Sequence, residues 1–287
     1  MSLESLTGRD YGPHPFRVCT DKVTEYVFAT GDDPDRWHRF APPVHAALAL
    51  FCVAPAFLDD PDVAPYTRVL VHVDQTFRWH LPWSIEEALS VRGAVERVRT
   101  RGSGHFVTFA MTVDNAAGER VLDSRSTFLM SSESPDTPPE EEPELPVAAR
   151  ARNDLPHPVP PPAVGEVLPD LEKSASRADL VRYAGATRDW NPIHFDHDAA
   201  VAAGLPGVVV HGLLMAAWAA QAGTRLVDHP LPLAEARFRF RAPLRPGQQA
   251  VVGGLVESDN EKEVNLRVRV VSSDIERVSA ALIVRKA

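Results

Sequence analysis

An aspartate and a histidine in the run DWNPIH, residues 189–194, are the residues whose types and spacing most directly suggest chemistry. Asp189 and His194 lie five positions apart across an Asn-Pro pair, which breaks regular secondary structure and favours an irregular turn. On such a turn both side chains can face one water molecule, where a carboxylate and an imidazole can take up and return protons. The pair therefore predicts a site of acid–base chemistry.

Two helices must position this turn. Upstream, Ser176 followed three residues later by Asp179 is typical of a capping box, and it begins a helix that we expect to end near Ala186. Downstream, after breakers that make the segment through Pro206 irregular, a helix over about 212–226 is rich in alanine and apolar on nearly all sides, as expected of a buried helix. Strand-like runs then follow at 236–241, 249–257, 264–271 and 277–285.

The first 130 residues repeat this plan, which indicates an internal duplication. Here we expect a buried helix over 44–58 and strands over 69–79, 88–99, 105–113 and 120–130. The run FRWH at 77–80 matches FRFR at 238–241, a separation of 161. The other repeated positions are Tyr26 and Tyr183, Thr30 and Thr187, and Asp32 and Asp189, all separated by 157 residues, and then His45 and His211, separated by 166.

The first copy lacks a complete acid–base pair. Asp32 is retained, but Trp37 stands where the second copy has His194, and His38 is one residue beyond the expected position. Ala46 follows the repeated histidine where the second copy has a glycine. We therefore expect the first copy to be inactive.

The segment YAGATRDWNPIHFDHDAAVAAGLPGVVVHG resembles the signature of the MaoC-like, (R)-specific enoyl-CoA hydratases, which have the hotdog fold. The two-block layout resembles the double-hotdog members, including fatty-acyl dehydratases and mesaconyl-CoA-type hydratases, in which a degenerate N-terminal hotdog packs beside a catalytic C-terminal one. The resemblance implies an α+β fold with two antiparallel sheets, each wrapped around a long central helix. It places an acyl-tail-accommodating domain at 1–130, a Pro/Glu-rich linker at 131–162 and the catalytic domain at 163–287.

The same resemblance implies reversible hydration of trans-2-enoyl thioesters to (R)-3-hydroxyacyl thioesters. Asp189 and His194 would hold and activate the water, and one of them would return a proton to C2. Gly212, at the start of the buried helix, would let its backbone N–H approach the thioester carbonyl. Asn191 and His211 are placed with the substrate-binding residues, where we expect Asn191 to shape the turn and His211 to support loop packing.

Arg188 departs from the family pattern, since the residue before the catalytic aspartate is often glycine. Its guanidinium could contact a substrate carboxylate or a CoA phosphate, but solvent is the expectation. A row of arginines on one strand face could bind CoA phosphates or could simply be exposed to water. These residues are Arg237, Arg239 and Arg241, with Arg245 close behind.

Other chemistries are less favoured by the sequence. Asp196, His197 and Asp198 could join His194 as metal ligands, but no further cluster with zinc-like spacing is present, so no metal and no cofactor beyond the CoA or acyl carrier protein of the substrate is expected. A hotdog thioesterase would need a nucleophile or base on the buried helix, which offers no Asp or Glu over 213–224. A non-catalytic thioester-binding protein would need neither member of the acid–base pair.

Composition sets broader limits. The net charge of −9 argues against nucleic acid as a partner, although six of the acids lie in residues 131–144 alone. No apolar run is long enough to predict a membrane span, and the N-terminus does not resemble a secretory signal. The two distant cysteines, Cys19 and Cys52, suggest no disulfide framework, so a cytoplasmic location is expected. Pairing of two chains into a homodimer remains open.

Overall fold

The computed structural model describes residues 2–134 and 158–286. Short 3-10 turns at Leu3–Leu6, Pro43–Ala46, Ala64–Tyr66 and Pro192–His194 join the longer elements. The helices are α1 (Thr20–Thr30), α2 (Ala47–Leu58), α3 (Arg177–Thr187), α4 (His197–Ala202) and α5 (Gly212–Thr224). The strands are β1 (Asp10–Arg17), β2 (Val69–Trp79), β3 (Ala88–Arg101), β4 (Gly104–Asn115), β5 (Arg120–Ser131), β6 (Leu171–Lys173), β7 (Leu233–Phe240), β8 (Ala250–Asp259), β9 (Glu263–Ser272) and β10 (Ile275–Arg285).

All ten described strands belong to one antiparallel sheet in the order β1-β3-β4-β5-β2-β7-β10-β9-β8-β6. The two halves contribute equivalent strands in mirrored order. From the edges to the junction, β1, β3, β4, β5 and β2 of the first half correspond to β6, β8, β9, β10 and β7 of the second. The two halves join where β2 pairs with β7, and Thr76 there lies opposite Arg237, its own equivalent at the separation of 161. This is the α+β double hotdog that the sequence predicts, with its two sheets fused edge to edge into one.

The central helices α2 and α5 lie in the concave face of the sheet because their sequences offer no polar face. Every residue of α5 from Leu213 to Thr224 is buried. Small residues bring the sheet close: a Cβ added at Gly223 would lie 3.0 Å from Leu282 and 3.1 Å from Val284. Close packing of this kind fixes the helix start, where the site lies, with little freedom to shift.

The outer helices α1 and α3 carry the repeated Tyr and Thr positions, and they pack against each other. The rings of Tyr26 and Tyr183 lie 6.1 Å apart between centroids. Ser176 forms the predicted capping box with Asp179, which sets the start of α3. None of the helices within the described ranges has the length and apolar character needed to cross a membrane.

Three elements differ from the sequence expectation. Strands β1 and β6 were not predicted, because β1 is interrupted by Pro13 and Pro15 and β6 has only three residues. The segment before Pro206 was expected to be irregular, yet it contains α4, whose first turn is capped by the side chain of Asp196. Most of the proposed linker, residues 131–162, lies outside the described residues.

Candidate active site

The catalytic turn begins where α3 ends and is held by hydrogen bonds to both halves of the chain. Asn191 accepts from the N–H of Ile193 at 3.4 Å, which closes the turn that carries His194. Its amide Nδ2 also donates to the carbonyl of Leu70 in β2 at 3.1 Å. The structure thus gives Asn191 the turn-shaping contacts that its place before a proline suggests.

His194 is oriented by a backbone carbonyl that the sequence did not indicate. Its Nδ1 lies 2.9 Å from the carbonyl oxygen of Val209. A carbonyl can only accept, so Nδ1 carries the proton and Nε2 is left with a free lone pair. Val209 in turn donates its N–H to the carbonyl of Ile193 at 3.2 Å, so the two segments are tied together around the imidazole.

The two candidate catalytic side chains are almost completely removed from solvent, with 9% exposure for Asp189 and 7% for His194. Burial raises the pKa of Asp189 to about 7, against a smaller lowering by the N–H of Asn191. Burial lowers the pKa of His194 to about 4, and the bond to Val209 opposes this only in part. Near neutral pH the imidazole is therefore uncharged, and the carboxyl can hold a proton.

His211 lies behind His194 and away from the cavity. The two imidazoles stack with centroids 3.7 Å apart and planes inclined by 23°. On its other side His211 contacts Tyr183, with ring centroids 4.8 Å apart, and it is fully buried. A substrate-binding role for His211 is therefore not retained, since a substrate would have to pass through His194 to reach it.

Asp189, His194 and His211 place potential metal-ligand atoms within 4.8 Å of one another. The geometry fits an ion poorly. In nearly parallel stacked imidazoles the lone pairs lie in the ring planes and run side by side, whereas two ligands of a tetrahedral ion must converge on it. Asp196, His197 and Asp198, the other ligands considered from the sequence, are not part of this cluster.

Gly212 opens α5 at the cavity wall, directly after His211. The first N–H groups of a helix have no partner within the helix, so they are free to receive an oxygen that gains negative charge. A Cβ at this position would lie 3.2 Å from the ring of Phe240. A larger residue at this position would therefore press against Phe240 and narrow the cavity.

A cavity of about 680 Å³ leads to these residues and has walls from both halves of the chain. The second half supplies residues 188–194 and the start of α5. The first half supplies one side of α2 and the start of β2, including His72. The lining residues of α2 are Phe51, Ala54, Pro55, Phe57, Leu58 and, at its end, Asp59.

The corresponding site in the first half is nearly filled. The cavity beside Asp32 encloses only about 10 Å³. Arg36 donates to the carbonyls of Thr224 at 2.6 Å and Val227 at 2.8 Å, and Trp37 is buried. His38 is exposed and lies 2.9 Å from the carbonyl of Asp35, so it does not replace the missing base.

Four of the α2 residues that line the large cavity have equivalents in α5 that line the small one. The pairs, each separated by 166 residues, are Phe51 and Ala217, Ala54 and Ala220, Pro55 and Gln221, and Leu58 and Thr224. Each central helix thus forms a wall of the other half's site. The site of the first half is closed and Trp37 does not line the large cavity, so the lost second site adds no room to that cavity.

The row of arginines on β7 is largely neutralised. Arg237 and Arg239 lie 3.0 and 3.6 Å from the carboxylate of Asp74 in β2. Arg241 lies 3.8 Å from Glu276 and is the member of the row that lines the cavity. Arg245, for which phosphate binding and exposure to water were both left open, is buried and donates to the carbonyl of Val208 at 2.9 Å.

Comparison with known proteins places both halves in the same kind of enzyme. A family described as "MaoC like domain" matches residues 131–277, just over half of the chain. A region described as "FAS1-like, dehydratase domain region" matches residues 5–124. Among curated proteins, 3-hydroxyacyl-thioester dehydratase X of Mycobacterium tuberculosis is 28% identical over 152 residues, which are 51% of this chain and 46% of that protein.

Solved structures give the same fold over the whole length. A structure described as a MaoC-like dehydratase superposes with a TM-score of 0.80, covering 100% of both chains at 23% identity. A Mycobacterium tuberculosis protein described as having a double hotdog fold superposes with a TM-score of 0.68, covering 97% of this chain and 96% of its own at 16% identity. With a MaoC-like domain over more than half of its residues, this chain belongs to the MaoC-like dehydratase family and is a hydro-lyase.

Proposed function

We propose that this chain catalyses the reversible hydration of trans-2-enoyl thioesters to (R)-3-hydroxyacyl thioesters, with the acyl group carried on CoA or an acyl carrier protein. The observation that supports this most is a buried carboxyl and a buried neutral imidazole at the end of a cavity of about 680 Å³. The name of the Mycobacterium tuberculosis relative, a 3-hydroxyacyl-thioester dehydratase, describes the same reaction in the other direction.

In the hydration direction, His194 is the base and Asp189 is the acid. Nε2 of His194 has a free lone pair, because Nδ1 is committed to Val209, so it takes a proton from water as the hydroxyl adds to C3. Asp189, whose pKa is raised by burial, gives its proton to C2. A proton passing from His194 to Asp189 afterwards restores the starting state, in which neither buried group is charged.

In the dehydration direction the same two groups exchange roles. The Asp189 carboxylate removes the proton from C2, and protonated His194 donates to the departing hydroxyl at C3. Both directions use a pair that shares one proton, so the total charge in the buried site does not change during the reaction. This arrangement avoids the large cost of an unpaired buried charge.

The negative charge that develops on the thioester carbonyl is received at the start of α5. We assign the N–H of Gly212 to this oxygen, since it lies at a helix N-terminus on the cavity wall. Removal of one such donor in other enzymes costs about 10²–10³-fold in kcat. The acyl group extends along α2, whose apolar side chains form the far wall.

A thioesterase and a binding protein are less well supported. Helix α5 lies wholly within the described residues and contains no carboxylate. It therefore offers no carboxylate base for hydrolysis at the thioester carbonyl. A binding protein would have no reason to bury a carboxyl and an imidazole side by side.

The direct test is to incubate the purified protein with trans-2-crotonyl-CoA and follow the loss of the enoyl absorbance. We expect 3-hydroxybutyryl-CoA as the product, with the (R) configuration in chiral analysis of the released acid. Free CoA without loss of the double bond would indicate a thioesterase. No turnover across short, long and branched enoyl-CoAs would overturn the proposal.

A further inference from the structure

The residue before the candidate catalytic acid has a backbone conformation that normally belongs to glycine. Arg188 ends α3 with φ of 65°, in the left-handed region that L-residues other than Asn and Asp rarely adopt. Its equivalent in the first half, which lacks a complete acid–base pair, is Gly31, which ends α1 with φ of 62°. The half that lost its catalytic pair therefore has the relaxed residue, and the half that retains the pair has a strained arginine.

The Arg188 side chain is exposed and lies on the wall of the large cavity. Within residues 2–134 and 158–286 its guanidinium makes no ion pair or hydrogen bond with the protein. The other cavity arginine differs, because Arg241 lies 3.2 Å from the hydroxyl of Ser279 and 3.8 Å from Glu276. Arg188 thus presents to the cavity a positive charge that has no ion-pair partner within the described ranges, although Asp59 and Asp189 line the same cavity.

Helix α2 lines the same cavity as Arg188. Burial raises the pKa of the Cys52 thiol of this helix, and the Arg188 charge acts against that rise. Phe51 of α2 and the half-exposed Trp190 also line the cavity. A planar guanidinium is suited to bind a carboxylate or phosphate through two parallel hydrogen bonds.

We propose that Arg188 is a specificity-determining residue that binds an anionic oxygen group of the substrate. This inference rests on the proposed function. Two parts of an enoyl-CoA substrate could supply the group: a carboxylate on the acyl chain or a phosphate of CoA. Arg188 and Asp189 are consecutive residues, and both line the cavity. The full pantetheine arm separates the CoA phosphates from the thioester, which favours the acyl carboxylate.

The strain gives a test that does not depend on a disruptive substitution. Arg188→Gly restores the residue found at the equivalent position 31, so it removes the charge and relaxes the backbone together. We expect this variant to fold at least as stably as wild type in thermal unfolding. Arg182→Ala is the matched control, since Arg182 is an exposed arginine of the same helix that pairs with Asp179.

The substrates form matched pairs. Glutaconyl-CoA and trans-2-pentenoyl-CoA differ by a terminal carboxylate, and the N-acetylcysteamine thioester of the pentenoyl group lacks the CoA phosphates. For Arg188→Gly we expect kcat/KM to fall by about 10–100-fold on glutaconyl-CoA, mainly through KM, the effect of losing a charged hydrogen-bonded pair. Activity on pentenoyl-CoA should change by less than about threefold.

The outcomes separate the two sources of the anion. An equal loss on both CoA thioesters, with none on the N-acetylcysteamine thioester, would keep the anion-binding role and assign it to a CoA phosphate. Unchanged kcat/KM on all three substrates, or the same loss in Arg182→Ala, would overturn the role of Arg188. If wild type hydrates none of them, the proposed function itself fails, which is a different result.

Discussion

At the scale of single residues, the site depends on two buried groups whose proton affinities move in opposite directions. The burial that keeps Asp189 protonated near neutral pH also keeps His194 unprotonated. Two titratable groups shifted in this way fall naturally into the roles of acid and base. The hydrogen bond from His194 to Val209 adds the orientation, because it decides which ring nitrogen faces the substrate.

The pH dependence of kcat/KM follows from these shifts. The active form has one proton on the pair, on Asp189 in the free enzyme. Above about pH 7 Asp189 loses that proton, and below about pH 4 His194 gains a second one, so activity falls at both ends. We expect a bell-shaped profile with a plateau between these values in hydration of crotonyl-CoA. A rate that continues to rise between pH 7 and 9 would contradict the assignment of Asp189 as the acid.

The sequence indicated the candidate acid–base side chains but not the groups that hold them. Asp189, His194 and Gly212 stand in one contiguous pattern, so their types and order could be read directly. The contacts to Leu70 and Val209 use backbone carbonyls, which every residue has, and Leu70 lies 121 residues from Asn191. No side-chain pattern marks such a contact. The departure at Arg188 was visible, but its left-handed backbone and its free charge were not.

At the scale of elements, the two central helices contribute different parts of their surfaces to the sites of the two halves. Helix α5 presents its N-terminus to its own site, whereas α2 presents its side to the site of the other half. The separation of 166 that relates the two histidines also relates the cavity-lining residues of α2 to those of α5. The duplication was therefore visible in the sequence, but the exchange of helix walls required the packed structure.

The α2 wall should control the length of the acyl group. Ala54 is small and buried on the side of α2 that faces the cavity. Ala54→Leu should lower kcat/KM for long enoyl-CoAs by about 10-fold or more, while crotonyl-CoA is hydrated at close to the wild-type rate. The comparison of kcat/KM across C4 to C12 substrates measures this directly.

The matched control for the α2 wall is Ala220→Leu at the equivalent position of α5. There the cavity holds only about 10 Å³, so the added atoms should overpack it and reduce the free energy of unfolding by about 1–3 kcal/mol. The chain-length profile of that variant should match wild type. Equal chain-length effects in both variants would show that α2 is not the acyl wall.

The start of α3 should matter for stability because it supports the catalytic turn. The hydroxyl of Ser176 accepts from the N–H of Asp179, so Ser176→Ala should lower the free energy of unfolding by about 1 kcal/mol. Cys19 is the N-cap of α1 and makes no capping bond through its side chain. Cys19→Ala should therefore change stability by less than about 0.5 kcal/mol. Urea unfolding of both variants gives the comparison, and equal losses would contradict a specific cap.

At the scale of the whole molecule, the chain is built like a pair of hotdogs joined within one polypeptide. The pairing of β2 with β7 fuses the two halves into a single sheet. The sequence predicted the halves and the four longer strands of each, since the alternating patterns and turns are local. It did not predict which strands meet at the junction, because that contact joins residues more than 150 positions apart.

Of the two duplicated sites, the one in the second half opens into a large cavity and the one in the first half is closed. Near Asp32, Arg36 donates to the carbonyl of Thr224 in α5 at 2.6 Å, and the side chain of Gln221 in α5 donates to the carbonyl of Thr30 in α1 at 3.2 Å. These contacts tie α5 to the first half and hold the wall of the open site in place. The second half keeps the complete pair and the cavity, so one active site per chain is the central claim.

The most direct test compares Asp189→Asn with Asp32→Asn, which make the same change at the two equivalent positions. With crotonyl-CoA, Asp189→Asn should lose about 10²-fold or more in kcat, because the amide can no longer exchange a proton with C2. Asp32→Asn should retain kcat within about threefold of wild type, with thermal unfolding confirming that both variants are folded. Wild-type rates in folded Asp189→Asn, or an equal loss in folded Asp32→Asn, would contradict a single active site in the second half.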